Sequence, residues 1–178
     1  WYFFRSFFLI GQANMRVFFS IIPWIFLFLV PSMTMRIWSE EKKNGTLDFL
    51  FTFPIKDIDL IIGKYLAGAC LLVVTILGTF PIPIFVTLFG EPDLGAIFSG
   101  YLGVIAMGLC LLALGFFLSS LTKNQIVAFI LSVAASFFAM ILSNSIVVYA
   151  LPDLLVPLFY GLSLQTHYES ISRGVIDL

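Results

Sequence analysis

Apolar side chains run uninterrupted by Asp, Glu, Lys or Arg over 17–35, 65–90, 94–122 and 124–152. A hydrocarbon core about 30 Å thick needs about 20 residues at about 1.5 Å rise, so each run is long enough to cross it as a helix. Four spans are expected, at 17–36, 58–89, 94–121 and 124–150. Pro23 and Pro31 in the first, and Pro81 and Pro83 in the second, each remove a helical N–H and predict kinks. In the third run Ala96, Ser99, Gly100, Gly103, Ala106, Cys110 and Ala113 fall within about 140° of one another on a helix, predicting a face of small side chains. Such a face either packs closely on a neighbouring helix or forms a smooth wall of a substrate path.

The polar interruptions are unequal. The segment 37–57 holds Ser39-Glu40-Glu41-Lys42-Lys43, a solvated frame of mixed charge, then Asn44-Gly45, a pair that permits positive φ and a turn. Thr46 is placed as a helix N-cap, Asp48 sits in the first turn where a negative charge suits the helix dipole, and Pro54 ends the helix. The expected helix, 46–53, is about two turns or roughly 10 Å long. Leu47, Phe49, Leu50, Phe51 and Phe53 surround it on nearly all sides. A helix that short cannot bury them against itself, which leaves two resting places: the cytoplasmic leaflet, or a groove on another protein. Asp57 is expected to cap the next helix, with Lys64 snorkelling to the interface.

Composition agrees with a membrane protein. Hydrophobic residues make up 61% of the chain, with 21 phenylalanines and a mean hydropathy of +1.09, well above the roughly 45–50% apolar usage of soluble domains. Charge sets an orientation. Arg36, Lys42, Lys43, Lys56 and Lys64 lie between the first two runs and Lys123 in the third connection, whereas the second and fourth carry Glu91, Asp93 and Asp153 and no Lys or Arg. The first and third connections are therefore expected in the cytoplasm, with Arg16 counting mildly against this. Residues 1–16, opening on Trp1-Tyr2-Phe3-Phe4-Arg5, read as the end of a preceding span and an outer loop. Residues 153–178, with His167, Glu169, Arg173 and Asp177, read as an outer re-entrant or amphipathic segment. A net charge of -1 supplies no basic patch and argues against nucleic acid as a partner.

Catalytic chemistry is missing from the residues present. No GxxxxGK[ST] run cradles a phosphate, His167 is the lone histidine, and Cys70 and Cys110 sit inside apolar runs. The four runs hold no ionisable residue of the kind an ion-coupled transporter uses. Their polar side chains, among them Thr75, Thr79, Ser132, Ser136 and Asn144, are expected to hydrogen-bond between helices.

Glu40-Glu41, then Gly45-Thr46-Leu47-Asp48, Pro54 and Lys64 resemble the first cytoplasmic loop of ABC-2 type transporter permeases, the membrane subunits of ABC exporters. Pro23-Trp24, Met35-Arg36, Ser119-Ser120-Leu121-Thr122-Lys123-Asn124-Gln125-Ile126 and Arg173-Gly174-Val175-Ile176-Asp177 are similar to the gliding-motility branch of that family. The resemblance implies an all-α, polytopic bundle of the type V exporter kind, represented here by four full spans plus a re-entrant outer segment. It makes 46–53 the coupling helix, with Glu40, Glu41, Gly45, Thr46, Leu47, Asp48, Phe49, Leu50, Phe51, Phe53 and Pro54 as the ATPase-coupling residues. Asp48 stands where glutamate is commoner in the family. The implied partners are two ABC ATPase subunits, which would bind the ATP and Mg, and a second permease chain, identical or not, in a bacterial cytoplasmic membrane. No cofactor is implied for this chain, and the exported substrate is not legible. A scaffolding membrane subunit and an ion-coupled transporter are the alternatives.

Overall fold

A computed structural model describes residues 15–52, 54, 56–90, 92–142, 161 and 163–172. Among them the helices are α1 (Arg16–Thr34), α2 (Ser39–Asn44), α3 (Thr46–Leu50), α4 (Asp57–Leu77), α5 (Pro81–Phe89), α6 (Leu94–Leu121), α7 (Gln125–Ile141) and α8 (Leu164–Ser172). Three stretches of the described residues are long and apolar enough to cross a membrane: Val17–Asn44, Asp57–Phe89 and Leu94–Leu121. The fourth run yields α7, an apolar helix of 17 residues, and the remainder of its expected span lies outside the described residues. Of the expected outer segment, α8 is the main described part.

The first two spanning stretches are broken rather than straight. A turn at Met35–Trp38 separates α1 from α2, and Gly78–Phe80 separates α4 from α5, where Pro81 begins the new helix without needing a donor. Asp93 caps α6 by accepting from the N–H groups of Gly95 and Ala96, and Asn124 caps α7 by accepting from Ile126.

The helix α6 is the hub, packing on α1, α4, α7 and α8. Its direction matches that of α1, and three glycines set the register: a Cβ at Gly100 would strike the Phe19 ring, one at Gly108 would lie 2.9 Å from Phe26 and 3.0 Å from Leu72, and one at Gly115 would overlap Thr34. Gly100, Gly108 and Gly115 lie within about 80° of one another on the helix. Lipid tails are as apolar as the side chains they would release, so helices associate through close packing. Glycine supplies the room, and Val30, Leu72, Leu111 and Leu112 fill the seam at 0% exposure.

The small-residue face expected from spacing alone is thus corrected. Gly100 and Gly103 are buried, but Ala106, Cys110 and Ala113, on the same broad face, are exposed. What selects a position for close approach is a bulky partner on α1 or α4, and a single helix's spacing carries no information about the partner. A matching stripe on α7, Ala128, Ser132, Ser136 and Met140, is buried at four-residue intervals.

Gly115→Val should lower stability by about 1–3 kcal/mol through overpacking against Thr34, whereas Ala106→Val on the exposed face should leave thermal unfolding in detergent unchanged.

Candidate functional site

The segment joining α1 to α4 forms a joint at one end of the bundle. As α1 ends, the Met35 carbonyl loses its helical donor, and as α2 begins, the N–H groups of Trp38 and Ser39 lack helical acceptors. One side chain meets all three. The Ser119 hydroxyl accepts from Trp38 N–H at 3.2 Å and Ser39 N–H at 3.3 Å, and donates to the Met35 carbonyl at 3.3 Å. One donor and two lone pairs are all that a serine hydroxyl has. Ser39 adds its own hydroxyl to the Met35 carbonyl, and Lys42 Nζ donates to the carbonyl of Ser120 in the last turn of α6, where a cation complements the helix dipole.

A second set of contacts reaches α4. Glu41 pairs with Lys64, both largely shielded at 26% and 18% side-chain exposure. The Lys64 ammonium also donates to the Ile37 carbonyl at 3.3 Å and lies 4.3 Å from the centre of the Trp38 ring, a cation–π arrangement. Trp38 is buried and meets Phe116 edge-on at 5.4 Å; Tyr65 packs edge-on against the same ring at 5.9 Å and donates to the Leu109 carbonyl. Both α6 and α4 therefore grip α2.

Gly45, at φ 70°, closes α2 with its N–H on the Glu41 carbonyl and starts α3 in the same residue. That left-handed conformation favours glycine, as Asn44-Gly45 led one to expect. Beyond it α3 stands out from the bundle, its main contacts being with α2. Thr46, Asp48, Phe49 and Phe51 are exposed, Phe49 by 64% and Phe51 by 45%, with Leu47 and Leu50 half-buried and Pro54 exposed. Phe53 lies outside the described residues.

Several expectations are revised here. The helix covers Thr46–Leu50, five residues, and hydrogen bonds from Phe51 N–H to Leu47 and Thr52 N–H to Phe49 continue its turn as far as Thr52. Thr46 is its first residue and not its N-cap: the Thr46 hydroxyl bonds back to the Glu41 carbonyl at 3.3 Å. Asp57 lies in the first turn of α4, where Lys56 takes the cap position. The Ser39–Lys43 charges are helical and partly engaged, with Lys43 exposed but Glu41 and Lys42 tied to α4 and α6. Lys64 has specific partners, Glu41 and the Trp38 ring. His167, on α8 at the far end, is exposed and hydrogen-bonds through Nδ1 to the Ser163 carbonyl at 2.8 Å.

Trp38, Ser119 and Ser120 carry the joint yet were not singled out for it. Ser119-Ser120 at the end of an apolar run, next to Thr122-Lys123, was the available signal, but its partners lie about eighty residues earlier.

A family model described as ABC-2 family transporter protein matches residues 7–173. Comparison with curated proteins and with solved structures gives no match.

Ser119→Ala should strand the two N–H groups and cost about 1–3 kcal/mol of stability, read as a lowered unfolding temperature in detergent. Glu41→Lys should destabilise likewise, and Lys64→Glu placed on top of it should recover much of the loss; no recovery would show that the pair's charges are not what joins α2 to α4.

Proposed function

The chain belongs to the ABC-2 transporter family, and we propose that it is the permease subunit of an ABC exporter, driven by separate ATPase subunits that dock on α2 and α3. The family contributes the membrane transport component and not the catalytic one. In this reading two ATPase copies hold the ATP and Mg, and this chain pairs with a second permease, identical or not, to move substrate outward across a bacterial cytoplasmic membrane. The similarity of Pro23-Trp24 and of the Ser119–Ile126 segment to gliding-motility permeases supports that branch.

The observation that carries the proposal is an apolar knob on a rigid seat. Phe49 and Phe51 stand exposed on α3, and each would gain roughly 1.5–3 kcal/mol if fully buried in a partner's groove. Behind them α2 is fixed to α6 through Ser119 and Lys42 and to α4 through Glu41 and Lys64. A push on α3 is therefore delivered to helices of all three spanning stretches. The coupling set Glu40, Glu41, Gly45, Thr46, Leu47, Asp48, Phe49, Leu50, Phe51, Phe53 and Pro54 then divides by role. Leu47, Phe49, Leu50 and Phe51 make the knob, Gly45 the turn behind it, and Glu41 its tie to α4.

Co-purification of the full-length chain with its ATPase tests this. Phe49→Asp together with Leu50→Asp should either release the ATPase or leave it bound with hydrolysis no longer linked to transport. Retained ATPase with coupling intact would refute the docking role. A change in membrane association alone, with a partner's hydrolysis untouched, would favour a scaffold resting on the bilayer.

A further inference from the structure

Pro23 lies within α1, and in an unbroken helix the residue at that position would donate its N–H to the Phe19 carbonyl. Lipid offers no replacement donor, so a proline break in a spanning helix is tolerated where neighbouring elements satisfy the freed group. Tyr168 of α8 does so here. Its buried hydroxyl donates to the Phe19 carbonyl at 2.6 Å, across 149 residues of sequence. Its ring, 3% exposed, packs over Gly103 of α6, where an added Cβ would lie 3.4 Å from the tyrosine ring.

A second proline, Pro83 of α5, repeats the arrangement. Pro83 withholds a donor from the Thr79 carbonyl, and the Tyr101 hydroxyl of α6 lies 3.4 Å from that oxygen and 3.0 Å from Thr79 Oγ1, alongside an Ile82 N–H bond of 3.0 Å. Phe19 joins the two sites, since its ring meets Tyr101 edge-on at 5.5 Å. From α8 to α5, contacts run Tyr168, Phe19, Tyr101, Thr79.

We propose that Tyr168 is a positioning residue, a clasp whose hydroxyl stands in for the N–H that Pro23 lacks, so that the turn of α1 at Pro23 and the docking of α8 are coupled. Packing alone would hold α8 with any aromatic ring. A hydroxyl aimed at the one carbonyl that Pro23 leaves without its helical donor ties the docking of α8 to the state of α1. In the exporter proposed above, α8 would then govern bending at the end of α1 opposite the ATPase joint. That consequence rests on the transport reading; the clasp does not, and its test needs no ATPase partner.

The test is a double-substitution cycle on the full-length chain in nanodiscs, read by amide hydrogen exchange over 20–30 and 164–172. Tyr168→Phe keeps the ring and should raise exchange in both segments by roughly three- to tenfold, the size expected for one lost hydrogen bond. Pro23→Ala restores a backbone donor to Phe19, so adding Tyr168→Phe to it should change exchange by less than about twofold. An equal effect of Tyr168→Phe in both backgrounds, or no effect in either, would overturn the clasp. Thermal unfolding of the four variants should show the same non-additivity, and additive shifts would contradict it.

Discussion

A backbone carbonyl or N–H freed inside or at the edge of hydrocarbon must find a partner within the protein, and much of this structure follows from that requirement. Three places in the first two spanning stretches have such groups met by a side chain from a distant element. Ser119 serves the joint between α1 and α2, Tyr168 the carbonyl facing Pro23, and Tyr101 the carbonyl facing Pro83. Two of these donors sit on α6, and the third packs against it. This makes α6 more than a packing hub: it is where the breaks in the other helices are made tolerable.

The same logic explains why a short loop can serve as a mechanical part. A charged linker beyond the headgroups would be free to move in water. Here the linker is folded into α2, its starting N–H groups are taken by α6, and its glutamate is paired with a lysine of α4 beneath a tryptophan. Beyond it α3 makes its main contacts with α2 and leaves Phe49 and Phe51 exposed. Order at the seat and exposure at the knob are both needed for a partner's motion to reach the membrane helices. Membership of the ABC-2 family is the ground on which we propose an ATPase as that partner.

Much of the architecture was legible because its causes are local. Uncharged runs announced apolar helices, Asn44-Gly45 announced the left-handed turn, and Pro81 announced the start of α5, whereas α1 continues through Pro23 and Pro31 and breaks at Met35–Trp38. What could not be read were the answers to those breaks. Nothing near Pro23 names Tyr168, and nothing near Trp38 names Ser119, since the match depends on how helices register across the bundle. The small-residue face failed for the same reason: Ala106, Cys110 and Ala113 are small too, yet they are exposed, while Gly108 and Gly115 lie under Phe26, Leu72 and Thr34. Lys64 was legible as a basic residue near the interface, while its pairing with Glu41 depended on the fold of α2.

The central claim is that α2, α3 and the end of α6 move as one unit under the push of an ATPase. An electron cryomicroscopy structure of the full-length permease with its ATPase, solved without nucleotide and with ATP trapped, tests it most directly. The account predicts α3 seated in a groove of the ATPase in both states, with Ser119 still bonded to Trp38 and Ser39 as the joint shifts. An α3 lying in the lipid, or an α2 that parts from Ser119 while the ATPase closes, would contradict it.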